Sequence, residues 1–252
     1  FLDVISSQKI SVGPPFYHKL IIPFLIPFLL MMAIGPKLKW IKSQLEDKIY
    51  LISFLIISIL LAFLVLKNFN QNILINTILI SSALYLFFIT IRDFFVKKYK
   101  NLSQNIAHFG FSLLILSILF NNLLSSEIIT NLKVGETFED SKTKIVLESI
   151  NQKKGKNYNS IVANLLISNL NGEEDKFSPE LRVYNQPVVV TSEADIKTTL
   201  LSDKFIVINL VQNKDFFNVR YQVKPFMIWI WISTLLLAIG GFLSLYNRLY
   251  EK

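Results

Sequence analysis

Five blocks of almost unbroken apolar residues, at positions 20–35, 49–66, 73–91, 102–124 and 226–246, leave few architectures open to this 252-residue chain. Each block is close to the ~20 residues with which an α-helix crosses a ~30 Å hydrocarbon core. Apolar residues make up 52% of the chain and the mean hydropathy is +0.46, more than a water-soluble domain can cover with polar surface. The first block contains Pro23 and Pro27, which a membrane helix tolerates when neighbouring groups satisfy the freed carbonyls. The fifth reads as opened by Pro225, with Trp229 and Trp231 at the level of the headgroups.

Basic residues in the short loops orient these spans. Lys37, Lys39, Lys42 and Lys48 follow the first block, Arg92, Lys97, Lys98 and Lys100 the third, and Arg248 and Lys252 the fifth, whereas the loop after the second holds only Lys67. The excess of Lys and Arg places the three basic segments on the cytoplasmic or matrix side. The five spans then alternate without conflict, and the N-terminal segment and residues 125–224 lie on the opposite side. Residues 125–224 hold 13 basic and 13 acidic residues, so the formal net charge of +8 belongs to the segments that flank the membrane. That distribution suits orientation and contact with lipid headgroups, not nucleic acid.

The segment 125–224 has a different texture. Runs at 145–147, 161–167, 181–190 and 205–211 are rich in Val, Ile and Leu, and 217–223 alternates apolar with polar residues. Gly135, Gly155, Asn157, Asn171-Gly172 and 213–215 punctuate them, and the Asn-Gly pair is a hairpin signal. Six or seven strands are expected, with a short helix over 191–200. The fold class is therefore a membrane α-helical bundle of about five transmembrane helices with an inserted small all-β domain, barrel or sandwich, outside the cytoplasm. Three parts are expected: an outer N-terminal segment with four helices over 1–124, the β-rich domain over 125–224, and the fifth helix with its cytoplasmic tail over 225–252. No signal peptide is read at Phe1, and residues 1–17 read as the interior of a longer polypeptide.

The chain has no cysteine, so it offers no disulfide, thiolate metal site or thiol chemistry. It has two histidines. His108 lies inside the fourth block, about 9 Å from Leu102 at ~1.5 Å per residue. Ionisable residues at such depth are costly and face a bundle interior or a cofactor. Gln104, Asn105 and Ser112 share its helical face, and Gly110 permits close approach of a flat ligand or of another helix. The pattern fits an axial ligand to a haem iron, and it fits equally an interhelical hydrogen bond. His18 sits at the outer mouth of the first span, beside Tyr17 and Lys19, as an interfacial or solvated histidine. The two histidines differ in depth by about 20 Å and cannot share one iron. No glycine-rich phosphate loop, His/Glu metal spacing or Ser-His-Asp set is evident. Residues 179–182 and 191–195 read as turns with local salt bridges. A transporter is disfavoured, because His108 alone lies deep in a span and no paired ionisable residues mark a pathway.

Several segments occur in a telling order: Lys9-Ile-Ser-Val-Gly-Pro-Pro-Phe16 before a span ending Gly35-Pro36, Ala107-His-Phe-Gly110, Gly155-Lys-Asn-Tyr158, Pro179-Glu-Leu-Arg182, Thr191-Ser-Glu-Ala194, and Val223-Lys-Pro-Phe-Met-Ile-Trp-Ile-Trp231 with Gly240-Gly241. Together they span nearly the whole chain, and they resemble the C-terminal part of CcmF, the haem-lyase membrane protein of cytochrome c maturation system I. The resemblance implies a factor that helps attach haem through thioethers to apocytochrome c, working with a haem-delivery chaperone and an apocytochrome-presenting protein. It implies a transmembrane b-type haem with His108 as one axial ligand to the iron. It also implies a bacterial inner membrane with the β domain in the periplasm, or a mitochondrial inner membrane.

The departures are equally specific. The family's tryptophan-rich haem-handling segment, its two outer histidines and the second ligand of the b-type haem belong to its N-terminal part. Trp40, Trp229 and Trp231 form no such cluster. The chain thus resembles a fragment, or one subunit of a split protein, that needs the N-terminal half for its second haem ligand and is not a complete enzyme alone. The alternative is a non-enzymatic membrane scaffold whose β domain docks maturation partners while His108 only packs.

Overall fold

The computed structural model describes residues 14–38, 48–67, 69, 73–96, 102–169, 172–211 and 215–250. Segments 1–13, 39–47 and 97–101, with Lys39, Lys42, Lys97, Lys98, Lys100 and the start of the first motif, lie outside the described residues, as do Asn171 and 212–214. The chain divides into two compact units: one holds the helices up to Leu119 and from Trp229 onward, the other is Phe120–Ile228.

The first unit contains α1 (Pro14–Ile34), α2 (Lys48–Leu66), α3 (Ile73–Val96), α4 (Leu102–Leu124) and most of α5 (Met227–Tyr250). All five are long and apolar enough to cross a membrane. α1 starts at a proline, where the missing N–H costs nothing, carries Pro23 and Pro27 inside, and closes in a 3-10 turn, Gly35–Lys37. α3 is the centre of the unit: half of it is buried, and α1 and α2 both pack against it. Aromatic contacts tie in the rest. Phe109 of α4 stacks on Phe87 of α3 at 5.5 Å and meets Phe94 edge-on at 5.7 Å, and Phe28 of α1 meets Phe111 of α4 at 5.7 Å. The opposite faces expose large apolar side chains such as Phe24, Ile49, Leu74 and Phe242. A water-soluble protein does not carry so continuous an apolar surface; hydrocarbon accepts it. The chain is a membrane protein.

α4 and α5 meet through small residues. A Cβ on Gly240 would lie 2.7 Å from the backbone nitrogen of Ala107 and 2.9 Å from its Cβ, and one on Gly110 would lie 3.0 Å from Leu236 Cβ, Leu237 N and Ser233 O. Without a hydrophobic drive between helices in lipid, such close backbone approach supplies the van der Waals contact that holds them. Of the two guests that Gly110 could admit, it is the helix that occupies the space.

The second unit is a β-sandwich of ten antiparallel strands. One sheet runs β1 (Ser126–Leu132), β10 (Phe217–Pro225), β9 (Ser202–Leu210), β8 (Asp195–Thr198). The other runs β2 (Thr137–Glu139), β3 (Thr143–Lys154), β4 (Tyr158–Asn169), β6 (Glu180–Tyr184), β7 (Val190–Glu193), with β5 (Glu174–Phe177) also paired to β4. Alternate residues point inward: Ile145 and Leu147, Ala163, Leu165 and Ile167, Ile206 and Ile208, Val219 and Tyr221 form one buried core with Leu132, Phe177 and Leu181. Of the barrel and the sandwich, the sequence leaves both open and the structure is the sandwich. Gly172 follows Asn171 at φ +76°, and Gly172 N–H donates to Asn169 O, so the expected hairpin joins β4 to β5.

Three expectations are corrected. Residues 191–200 hold no helix; they form β7 and β8, which pair with β6 in one sheet and β9 in the other, crossing between sheets at Ala194. Unfilled edges of β6 and β9 supply hydrogen bonds that an isolated helical turn cannot match. The run 181–190 is two strands, because Tyr184 N–H donates to Val189 O at 2.9 Å across a turn containing Pro187, which has no N–H for a ladder. Pro225 does not open α5: it ends β10 opposite Ser202, and the helix begins at Met227 after Phe226 at φ +61°. Three strands were not foreseen. β1 follows α4 without an apolar break, and β2 and β5 are short and charged, too brief for a hydrophobic period to register.

Candidate functional site

His108 stands in the second turn of α4 and lines a small niche where three helices end. Met32, Ala33 and Pro36 come from the end of α1 and its 3-10 turn, Ile89, Thr90 and Asp93 from the last turns of α3, and Gln104, Asn105 and His108 from the start of α4. Five of these side chains are polar, in a region that is otherwise apolar. The niche has a volume of about 30 Å³, room for one or two water molecules with ample polar partners. The imidazole is half-buried and, among the described residues, makes no hydrogen bond.

Asp93 dominates the electrostatics. Lys37 Nζ donates to both its carboxylate oxygens, at 2.9 and 2.8 Å, and Arg92 Nη1 lies 3.8 Å away. The Arg92 guanidinium also stacks 3.5 Å over the ring of Tyr50 in α2. The end of α1 and the last turns of α3 thus meet at one carboxylate, and α2 joins them through Tyr50. Thr90 Oγ1 donates to Leu86 O at 3.0 Å and Phe87 O at 2.8 Å, so its hydroxyl hydrogen is committed within its own helix.

The expected polar stripe on α4 divides. Gln104, Asn105 and His108 come together in the niche, whereas Ser112 is buried one turn further on and donates to Phe109 O at 2.9 Å. His18 lies on α1, fifteen residues before Ala33, about 22 Å along the helix axis, and takes no part. Asp93, Lys37, Thr90, Arg92 and Tyr50 were missed as site residues. Lys37 and Arg92 were read only as topogenic charges, and the third span was drawn to residue 91, although α3 continues to Val96. The signal in the sequence was a lone acid among the bases that follow the third block.

Among the described residues no group of three His, Cys, Asp or Glu could hold a metal ion. A single imidazole ligates firmly only a metal that brings its other ligands with it, as haem iron does. The donor chemistry of the site fits such a group: a half-buried, unbonded imidazole with polar neighbours able to accept from its second nitrogen. The niche volume holds water only, so a macrocycle on His108 requires space beyond this chain's own helices.

In the sandwich, motif segments far apart in sequence come together. The Tyr158 ring packs over Gly155, where a Cβ would lie 2.6–2.9 Å from it, and beside Tyr184 at 5.4 Å. Arg182 stacks on Tyr158 at 4.9 Å and donates to Glu180 at 2.9 Å, and its strand neighbour across the sheet is Thr191, whose hydroxyl donates to Glu193 at 3.0 Å. The local ion pair expected here is present between Arg182 and Glu180, but the segments expected as turns are strands, Glu180–Tyr184 and Val190–Glu193.

An apolar five-helix unit whose fourth helix carries a histidine that makes no hydrogen bond among the described residues, with an antiparallel sandwich between its fourth and fifth helices, defines a membrane-anchored β-sandwich protein. The family model described as "CcmF C-terminal beta-sandwich" matches residues 123–225, and the chain is similar along its length to CcmF proteins. The cytochrome c-type biogenesis protein CcmF of Pseudomonas fluorescens is 26% identical over 267 residues, covering 99% of this chain and 40% of that protein. CcmF of Haemophilus influenzae is 27% identical over 259 residues (96% and 40%), and that of Escherichia coli 25% over 257 residues (97% and 39%). A solved structure described as "Cytochrome c Heme Lyase CcmF" superposes with a TM-score of 0.69 at 18% identity, over 90% of this chain and 40% of that one. The chain therefore spans about two fifths of the length of the curated relatives it matches.

Proposed function

We propose that the chain is the C-terminal portion of a cytochrome c haem lyase and supplies His108 as one axial ligand of a transmembrane b-type haem. The second ligand comes from outside this chain, from the N-terminal half. The observation that carries this reading is the imidazole of His108, held unbonded in a polar niche on an apolar helix, in a chain similar throughout to cytochrome c biogenesis proteins. The protein acts at a bacterial inner membrane with the sandwich in the periplasm, where apocytochrome c is presented by one partner and haem delivered by another.

The chemistry assigned to this chain is ligation and orientation. When bound, the haem supplies a one-electron carrier that keeps the transferred haem ferrous, the state suited to thioether formation. His108 as a neutral imidazole donates a lone pair from one nitrogen, and its other N–H needs an acceptor. Gln104, Asn105 and Asp93 line the same niche and can accept directly or through a niche water. Lys37 pairs with Asp93, so the carboxylate that borders the niche is compensated.

Co-production of the chain with the missing N-terminal half tests the proposal. A b-type absorbance spectrum is expected from the purified complex, and its loss in His108→Ala with the complex intact. Unchanged haem content and unchanged cytochrome c maturation in that variant would leave the docking scaffold as the function.

A further inference from the structure

Beside the segment that leads into α5, the sandwich presents two leucines that its core does not use. Leu200 and Leu201 form the tip of the turn between β8 and β9 and are 67% and 69% exposed. The turn is rigid: Thr199 N–H donates to Ser202 O at 3.0 Å, Thr199 Oγ1 donates to the same carbonyl at 2.8 Å, and Ser202 N–H donates back to Thr199 Oγ1 at 3.1 Å. Its position is equally constrained. Leu201 O accepts the N–H of Phe226 at 2.8 Å, and Ser202 pairs with Pro225. Phe226 immediately precedes α5, and its ring packs 5.8 Å from that of Phe120 in the last turns of α4. One residue on, Asn121 of α4 donates to Pro225 O at 2.6 Å. The ends of two membrane helices and the leucine turn are thus pinned within a few residues of one another.

We propose that this turn is a third membrane contact of the sandwich, with Leu200 and Leu201 inserted into the interfacial layer of the bilayer. Chain continuity carries the assignment of lipid as the occupant. The turn is bonded to the residue from which an apolar helix departs, with Trp229 and Trp231 in the next turn as interfacial aromatics. Two leucines on a rigid tip bury apolar area there without any loss of conformational freedom. Neither leucine is needed for the sandwich core, which closes without them.

The absence of cysteine makes the test direct. The full chain carrying Leu201→Cys, labelled with an environment-sensitive fluorophore, is reconstituted into nanodiscs of phosphatidylcholine and phosphatidylglycerol. Leu210→Cys is the reference: it is 49% exposed at the opposite end of β9, about 30 Å away along the strand. At Leu201 the expected result is a blue-shifted emission that is quenched by nitroxide lipids labelled near the headgroup and insensitive to aqueous iodide; at Leu210 the pattern reverses. Emission at Leu201 that matches Leu210 would overturn the proposal. So would shielding from iodide and lipid nitroxide alike, which would mean that protein covers the turn. Leu200→Cys repeats the measurement should the first variant fold poorly, and the haem content of the chain has no bearing on either outcome.

Discussion

Lys37, in the turn that closes α1, places its ammonium 2.8 Å from a carboxylate oxygen of Asp93 in α3, fifty-six residues away, with only 8% and 10% of the two side chains exposed. Two helices that share no loop are joined at their ends by this bond, and His108 borders the same niche. A buried pair of this kind contributes little over an apolar pair of equal shape, but leaving either partner alone is expensive.

Asp93→Leu alone is expected to lower the stability of the chain by about 3–5 kcal/mol, since it removes the carboxylate that the buried Lys37 ammonium bonds, and Lys37→Met alone by less, since Arg92 Nη1 stays 3.8 Å from Asp93. The double variant is expected to recover most of that loss. Thermal denaturation in detergent, with the three variants compared to the parent, measures the coupling. Additive losses would show that the pair does not act as a unit.

On the proposed ligation of haem by His108, His108→Met would exchange one iron ligand for another of different chemistry. In the complex with the N-terminal half, the reduction potential is expected to rise, because a thioether stabilises the ferrous state relative to an imidazole. A redox titration reads the shift, and an unmoved potential would remove His108 from the iron.

The junction of α4 with α5 depends on Gly240. Its replacement by Ala forces the added methyl onto Ala107 N at 2.7 Å, a backbone atom that cannot yield. The expected cost is about 1–3 kcal/mol, as for overpacking of a closed core. Gly241→Ala meets nothing within 4 Å and is expected to be neutral or mildly stabilising. Parallel melting curves of the two variants decide it: an equal effect of both would place the contact elsewhere.

Two groups give the sandwich its pH limits. Burial first, and Asp175 second, push the Tyr221 phenol up to about 12. The unfolded chain therefore loses this proton first, so stability is full below the ordinary phenol pKa of about 10 and drains away between there and about 12. Tyr221→Phe, whose ring still packs against Phe177 at the 6.2 Å centroid distance, should abolish that alkaline slope. At the other end, the hydrogen bonds of Lys204 and Lys197 hold the Asp175 carboxyl below its usual range. Its contribution is present above the ordinary value of about 3.9 and is lost as pH falls through the lowered folded value. Asp175→Asn should flatten the acid limb, read by near-ultraviolet circular dichroism.

The sequence alone determined the five spans and the core strands, because those elements answer to local rules. A bilayer of fixed thickness demands an apolar run of fixed length, and a half-buried strand demands alternation; the runs at 49–66 and 102–124 and the pairs Ile206 and Ile208, Val219 and Tyr221 satisfy those rules wherever they come to rest. It also placed His108 at its depth. Only the tertiary structure decided which polar groups surround that imidazole, since Asp93 and Thr90 line its niche from another helix and no periodicity within α4 encodes them. The same holds for 191–200, whose strand conformation is set by hydrogen bonds from β6 and β9, and for Gly110, which admits α5 and not a flat ligand. Bonds across distant parts of the chain select among conformations that local propensity leaves nearly equal in energy.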